Sequence, residues 1–145
     1  MWPVGYEECL QSWVQLRQDC TNKPLQEQLN QIAGWWGHAP RVKHAVHWHD
    51  KDNWPNPWEL LADNSYDELA IALGISYTIL MLDSINTTVE LAQAKDGTAS
   101  DFYIVLVDDQ KYILNYDPWL AVNSEQTDFT ILNTVDQDQL LKKIG

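Results

Sequence analysis

The chain is poor in positive charge, in cysteine and in long apolar runs, and each shortage excludes something. Nine Lys or Arg stand against 21 Asp or Glu, for a formal net charge of −12 and a pI of about 4.4. Such a surface repels phosphate and no basic stripe offsets it, so nucleic acid is not an expected partner, and neither is an anionic membrane. No run of eighteen apolar residues is present, so no transmembrane helix is expected. The opening MWPVGYEECL lacks a basic region followed by an apolar one, which argues against a secretory signal and for a chain kept in, or assembled within, a cytoplasm. The two cysteines, Cys9 and Cys20, fall about 16 Å apart along a single helix, too far for a disulfide. Neither belongs to a CxxC pair, so two reduced, buried thiols are expected, not a zinc knuckle or a redox couple. A GxSxG elbow and a phosphate-cradling glycine loop are both missing, and no cofactor is implied.

Tryptophan is what the chain has in excess. Eight occur in 145 residues, within an otherwise ordinary balance of 45% hydrophobic and 21% charged residues. Each indole can bury roughly 200 Å² while keeping one N–H to satisfy. Most of them fit a compact aromatic core; Trp35, Trp36, Trp48, Trp54 and Trp58 are also candidate anchors of a protein–protein interface.

The length predicts one domain, 1–145, able to bury about two-thirds of its unfolded surface. Residues 1–37 read as a helical part. A helix over 6–20 buries Leu10, Trp13, Val14 and Leu16; a second follows Pro24 with Leu25, Leu29, Ile32, Ala33 and Trp36 at helical spacing and stops at Gly37. Residues 38–57 form a Trp/His/Pro-rich loop holding all four histidines, with Val46 and Trp48 alternating with His47 and His49 in a short extended piece. Residues 58–145 are read as helix plus antiparallel sheet. A short turn of helix starts at Pro57. Ser65 and Glu68 form a capping box that starts a helix near residue 66, and Gly74 stops it. The run ISYTILML, 75–82, fits a buried strand or a continued helix. Segments 86–94, 101–107, 111–117 and 129–135 read as strands, with a hairpin turn at Asp108–Gln110 and a last short helix capped by Thr134 or Gln137. Helices first and strands later make the fold class α+β, N-terminal helices on an antiparallel sheet.

Two motifs carry a family resemblance over roughly 54–119. WPNPWELLADNSYDELA places a Trp/Pro turn and a short helical turn before a helix opening Asp67-Glu68-Leu69-Ala70, and KYILNYDPW ends a strand on Asp117-Pro118. This order resembles transglutaminase-like and papain-like cysteine-protease-like proteins, in which a cysteine followed by an acidic residue and alanine opens the helix, where the dipole stabilises a thiolate. In that family a histidine opens the next-to-last strand of the site and an aspartate orients it. Here Asp67 stands where the cysteine is looked for, and no histidine follows His49, so only Asp117 matches among the catalytic positions. The resemblance implies the enzyme's core without its nucleophile. A narrower resemblance, carried by Trp35-Trp36-Gly37-His38-Ala39-Pro40, His47 to Asp50 and the helix ending ALGISYTI, is to small proteins of tailed bacteriophages. It implies a phage source and a virion component.

The expected function is therefore non-catalytic and structural, in the neck, tail or baseplate of a tailed phage. The partners are other virion proteins and further copies of the chain in an oligomer or ring; the location is the virion, after assembly in the host cytoplasm. The alternatives are a hydrolase or amide-bond transferase with a noncanonical site near Asp67, Asp117 and His47 or His49, or a host-takeover binding protein. His47 and His49, with Asp52 or His44, are weak candidate metal ligands, since two histidines flanking one residue of a strand point the same way. Pairs such as Asp63 and Glu68, or Asp108 and Asp109, have no fixed separation and fit turns better than a glycosidase.

Overall fold

The computed structural model describes residues 2–43, 45–63, 65–97 and 100–145; the candidate ligand His44 lies outside them, as does Ala99, the first residue of the stretch from Ala99 to Phe102 where the resemblance looks for a histidine. Among the described residues, five α-helices, five strands and two short 3-10 turns follow an α+β order: α1 (Tyr6–Cys20), α2 (Leu25–Gly37), α3 (Pro57–Ala62), α4 (Glu68–Leu80), β1 (Val89–Lys95), β2 (Phe102–Val107), β3 (Tyr112–Leu114), β4 (Val122–Asn123), β5 (Thr130–Val135) and α5 (Gln137–Ile144). The strands form one antiparallel sheet in the order β4-β3-β2-β1-β5, with a register shift between Gln93 and Ala94 where β1 meets β5.

Helix α4 is the centre of the molecule. Every residue from Leu69 to Ile79 is buried, because the helix packs on β1 and β2 of the sheet and against α2, α3 and α5, with Trp13 of α1 bonded to Thr78. A helix that is apolar all round shows no 3.6-residue stripe, which is why 75–82 reads equally well as a strand. The expected stop at Gly74 is corrected: the helix runs through it to Leu80. Glycine serves packing there, since a Cβ would come within 2.4 Å of the Trp36 indole. The expected start is also corrected. Tyr66 bridges in extended form to Arg41, and Asp67, not Ser65, is the N-cap, its side chain accepting from Ala70 N at 2.8 Å.

Two polar side chains are solved inside this core. Thr78 Oγ1 donates to Gly74 O at 2.7 Å and accepts from the indole N–H groups of Trp13 at 2.8 Å and Trp36 at 3.0 Å. A hydroxyl has one proton and two lone pairs, and all three are used. Tyr66, fully buried, places its hydroxyl against the carbonyls of Leu60 and Asp63, which pins α3 to the start of α4. Cys9 and Cys20 are free and buried, as expected, and burial pushes the Cys9 thiol up to about 11. The buried face of α1 is Cys9, Trp13, Leu16 and Cys20, displaced by about one residue from the expected Leu10 and Val14.

The sheet has two dressed faces. Leu91, Val105, Val107, Leu114 and Val135 join the main core under α4, while Ala92, Ala94, Ile104, Leu106 and Ile113 pack beneath Phe102, Val122, Phe129 and Ile131 on the other side. The β2–β3 hairpin turns through three consecutive left-handed residues, Asp108, Asp109 and Gln110. Helix α5 is capped by Asp136 in a reciprocal pair with Gln139, which corrects the expected caps: Asp136 lies two residues after Thr134 and one before Gln137.

Candidate functional site

Three chain segments converge at the N-terminus of α4: the loop residues 43 and 45–49, the opening of β2 and Asn115, which follows β3. The first two, with Gln93 of β1, border a cleft of about 530 Å³ lined by Lys43, His47, Trp48, His49, Asp67, Glu68, Gln93, Asp101 and Tyr103, among others. Depressions of about 370 Å³ and 480 Å³ adjoin it, the first reaching Asp96 and Tyr116 and the second Arg41, Pro118 and Trp119. Glu68 lines all three, so it stands at the junction of a groove running across the helix start.

Asp67 is fully committed to the backbone. Its Oδ1 accepts from Ala70 N at 2.8 Å, and its Oδ2 accepts from Ala45 N at 2.8 Å and Val46 N at 3.0 Å. The carboxylate thus caps the helix, where a negative charge meets the positive end of the dipole, and ties down the loop that roofs the cleft. Its partners and its 7% exposure leave little of it for chemistry.

Glu68, the next residue, points the other way. Its Oε1 sits 3.4 Å from Tyr103 N at the start of β2. Burial raises its pKa above the usual carboxylate value, opposed by the bond from Tyr103 and the charge of Arg41 and reinforced by the charge of Asp67. Asn115 closes the corner: its Nδ2 donates to Glu68 O at 3.2 Å and to Tyr103 O at 2.9 Å, and its left-handed backbone turns the chain out of β3. Asp101, just before β2, accepts from Gln93 Nε2 at 3.0 Å, and Gln93 is held in turn by Asn133. Trp48 stacks on Tyr103 with ring centroids 5.7 Å apart.

The sequence-predicted residues divide cleanly. Asp67, His47 and His49 do meet in one cleft. Asp117 does not line it; its Oδ1 accepts from Trp119 N and Leu120 N in a surface turn, three residues beyond the end of β3 at Leu114. His47 and His49 do not alternate along a strand: residues 48–49 form a turn and Lys51–Asn53 a 3-10 turn. Both histidines are exposed, Asp52 lines a different cavity, and no group of three metal-capable side chains occurs among the described residues. The expectation that Trp36, Trp48 and Trp54 anchor a partner is corrected by their burial, at 1%, 5% and 4% exposure. Trp35 is half-buried with its N–H on Ser12, and Trp58 is 39% exposed. Glu68, Asp101, Tyr103 and Asn115 were not singled out for this cleft by sequence. The one signal for them is the asparagine just before Tyr116-Asp117, a residue that tolerates the left-handed turn.

A buried helix whose N-terminus meets the opening of one antiparallel strand and the end of the next, with further helices behind it, is a transglutaminase-like fold. Solved structures of LapG from Legionella pneumophila have it: one superposes with a TM-score of 0.76 at 14% identity over 97% of this chain and 90% of LapG. The calcium-bound form gives 0.77 at 12% identity over 99% and 93%, and the EGTA-treated form 0.73 at 15% over 97% and 90%. No family model matches the sequence, and no curated protein matches it.

Proposed function

We propose that the chain is a non-hydrolytic module of transglutaminase-like fold that works through protein–protein contacts, as a structural component of a tailed-phage particle. One observation carries the non-hydrolytic part: the residue at the helix start is a carboxylate bound by three backbone N–H groups, while both thiols lie buried in α1. A carboxylate so held is a poor acyl-transfer nucleophile. The phage setting rests on the resemblance of the Trp/Pro/His segments. The groove through Glu68 and the half-exposed Trp58 and Trp119 supply surface for neighbouring subunits. Mass spectrometry of purified virions tests the reading. The expected result is this chain in a fixed ratio to the portal, at a multiple of three, six or twelve copies; its absence from mature particles rejects a virion role.

A second reading is favoured by one specific observation, the meeting of His47, His49, Asp67, Glu68 and Asp101 around one cleft. It makes the chain a hydrolase with a noncanonical acid–base site. Turnover of peptide or amide substrates by the wild type, lost in His47→Ala or His49→Ala, would establish it in place of the first.

A further inference from the structure

A second cavity, on the side of the molecule built by the 3-10 turn and α5, has a character opposite to that of the chain as a whole. It holds about 400 Å³ and is lined by Lys51, Asp52, Trp54, Val135, Gln139, Leu140, Lys142 and Lys143. Three of the nine cationic residues of a chain carrying −12 therefore face one space, against one carboxylate, for a lining charge of 3 − 1 = +2. Lysines in the last turn of a helix ordinarily answer its dipole, and Lys142 and Lys143 do so. Lys51 comes from a separate element, and no dipole accounts for its joining them.

Two of the three ammonium groups are held in place by the protein. Lys51 Nζ lies 4.8 Å from the Trp48 ring centroid and 5.8 Å from that of Trp54, a cation–π seat on two rings. Lys143 Nζ donates to Asp52 O at 2.9 Å. Neither contact neutralises the charge. The floor is apolar and rigid: Trp54, Val135 and Leu140 are 4%, 2% and 1% exposed, and the Trp54 N–H is fixed on His47 O at 2.7 Å. A space of this volume with an apolar floor, a few placed cations and an amide has the make-up of a small-molecule site.

We infer that this cavity binds a small organic anion, a carboxylate or phosphate monoester carried on an apolar or aromatic body. The anionic head meets Lys51, Lys142 and Lys143, and the body lies against the exposed edge of Trp54 and the aliphatic stems of the lysines. The site is separate from the cleft at α4 and does not depend on the proposed function.

The test is titration of the 15N-labelled protein with phenyl phosphate, inorganic phosphate and benzyl alcohol, following the Trp54 indole N–H and the α5 amides by NMR. Phenyl phosphate is expected to shift these signals saturably and to bind about tenfold more tightly than either fragment, a difference of about 1.4 kcal/mol. Lys51→Met and Lys143→Met, which keep the aliphatic stems, are each expected to weaken binding about tenfold while leaving the remainder of the spectrum in place. A variant that loses its native spectrum is replaced by Lys142→Gln, on an exposed side chain, with the same expectation. No saturable shift, equal affinity for inorganic and phenyl phosphate, or unchanged affinity in the folded variants would overturn the inference.

Discussion

The two termini of α4 use the same device for opposite purposes. Near the C-terminus, Thr78 gives all its hydrogen-bonding capacity to Gly74 O and to the indoles of Trp13 and Trp36, deep under α1 and α2. At the N-terminus, Asp67 does the same with three backbone N–H groups, but directly beneath an open cleft. Both side chains are scaffolding. The difference lies in their neighbours: Thr78 is followed by more core, whereas Asp67 is followed by Glu68, whose carboxyl faces the groove. A polar residue near a cleft is thus not a functional group on that account; what matters is whether its valences are already filled.

The comparison can be broken at its buried end first. Thr78→Val keeps the shape but orphans two indole N–H groups, and is expected to cost about 2–5 kcal/mol, read from urea unfolding. A loss under about 1 kcal/mol would mean that the tryptophans find other acceptors. Gly74→Ala forces a methyl into the Trp36 indole, expected at about 2–3 kcal/mol, with a shift of the Trp36 side chain visible in a crystal structure.

At the cleft end, Asp67→Ala removes a helix cap and the loop's anchor. The expected cost is about 1–2 kcal/mol, together with faster amide exchange at Ala45 and Val46; unchanged exchange there would show that the loop holds itself. Glu68→Gln sharpens the contrast through pH. The folded-state pKa of Glu68 is raised, so the native state binds the proton more readily than the unfolded one, and stability falls as pH rises from the unfolded to the folded pKa. The variant is therefore expected to melt slightly above wild type at neutral pH, with the gap closing below the normal carboxylate range. A gap independent of pH would place the effect elsewhere. The smallest stability effect is expected from Trp58→Ala, within about 0.5 kcal/mol for a side chain already 39% exposed, although particle incorporation should fall if Trp58 meets a neighbouring subunit. Normal incorporation would remove Trp58 from the interface.

Much of the fold was legible because local chemistry and tertiary structure agree. The helices at 6–20, after Pro24 and at Pro57 follow amphipathic spacing and N-terminal proline, and the strands near 86–94, 101–107 and 129–135 follow β-branched runs bounded by turn residues. Reading failed where a residue acts at a distance. Gly74 looks like a helix stop unless Trp36 is known to lie against it. Trp48 and Trp54 look like surface anchors until Tyr103 and Lys51 are brought to their faces. Asp117, two positions from Asn115, carries the motif but lies in a surface turn outside the cleft.

By itself the sequence determined an α+β fold with an acidic composition, buried unpaired thiols, and Asp67 at a helix start. Those are properties of composition and of neighbours in the chain. The tertiary structure alone decided that Glu68 stands where the cleft meets the depressions beside Asn115, and that Lys51 joins the neighbouring Lys142 and Lys143 at one cavity. Residues 52 and 143 meet only because the sheet carries α5 back beside the 3-10 turn, and no local pattern encodes a contact that spans most of the chain.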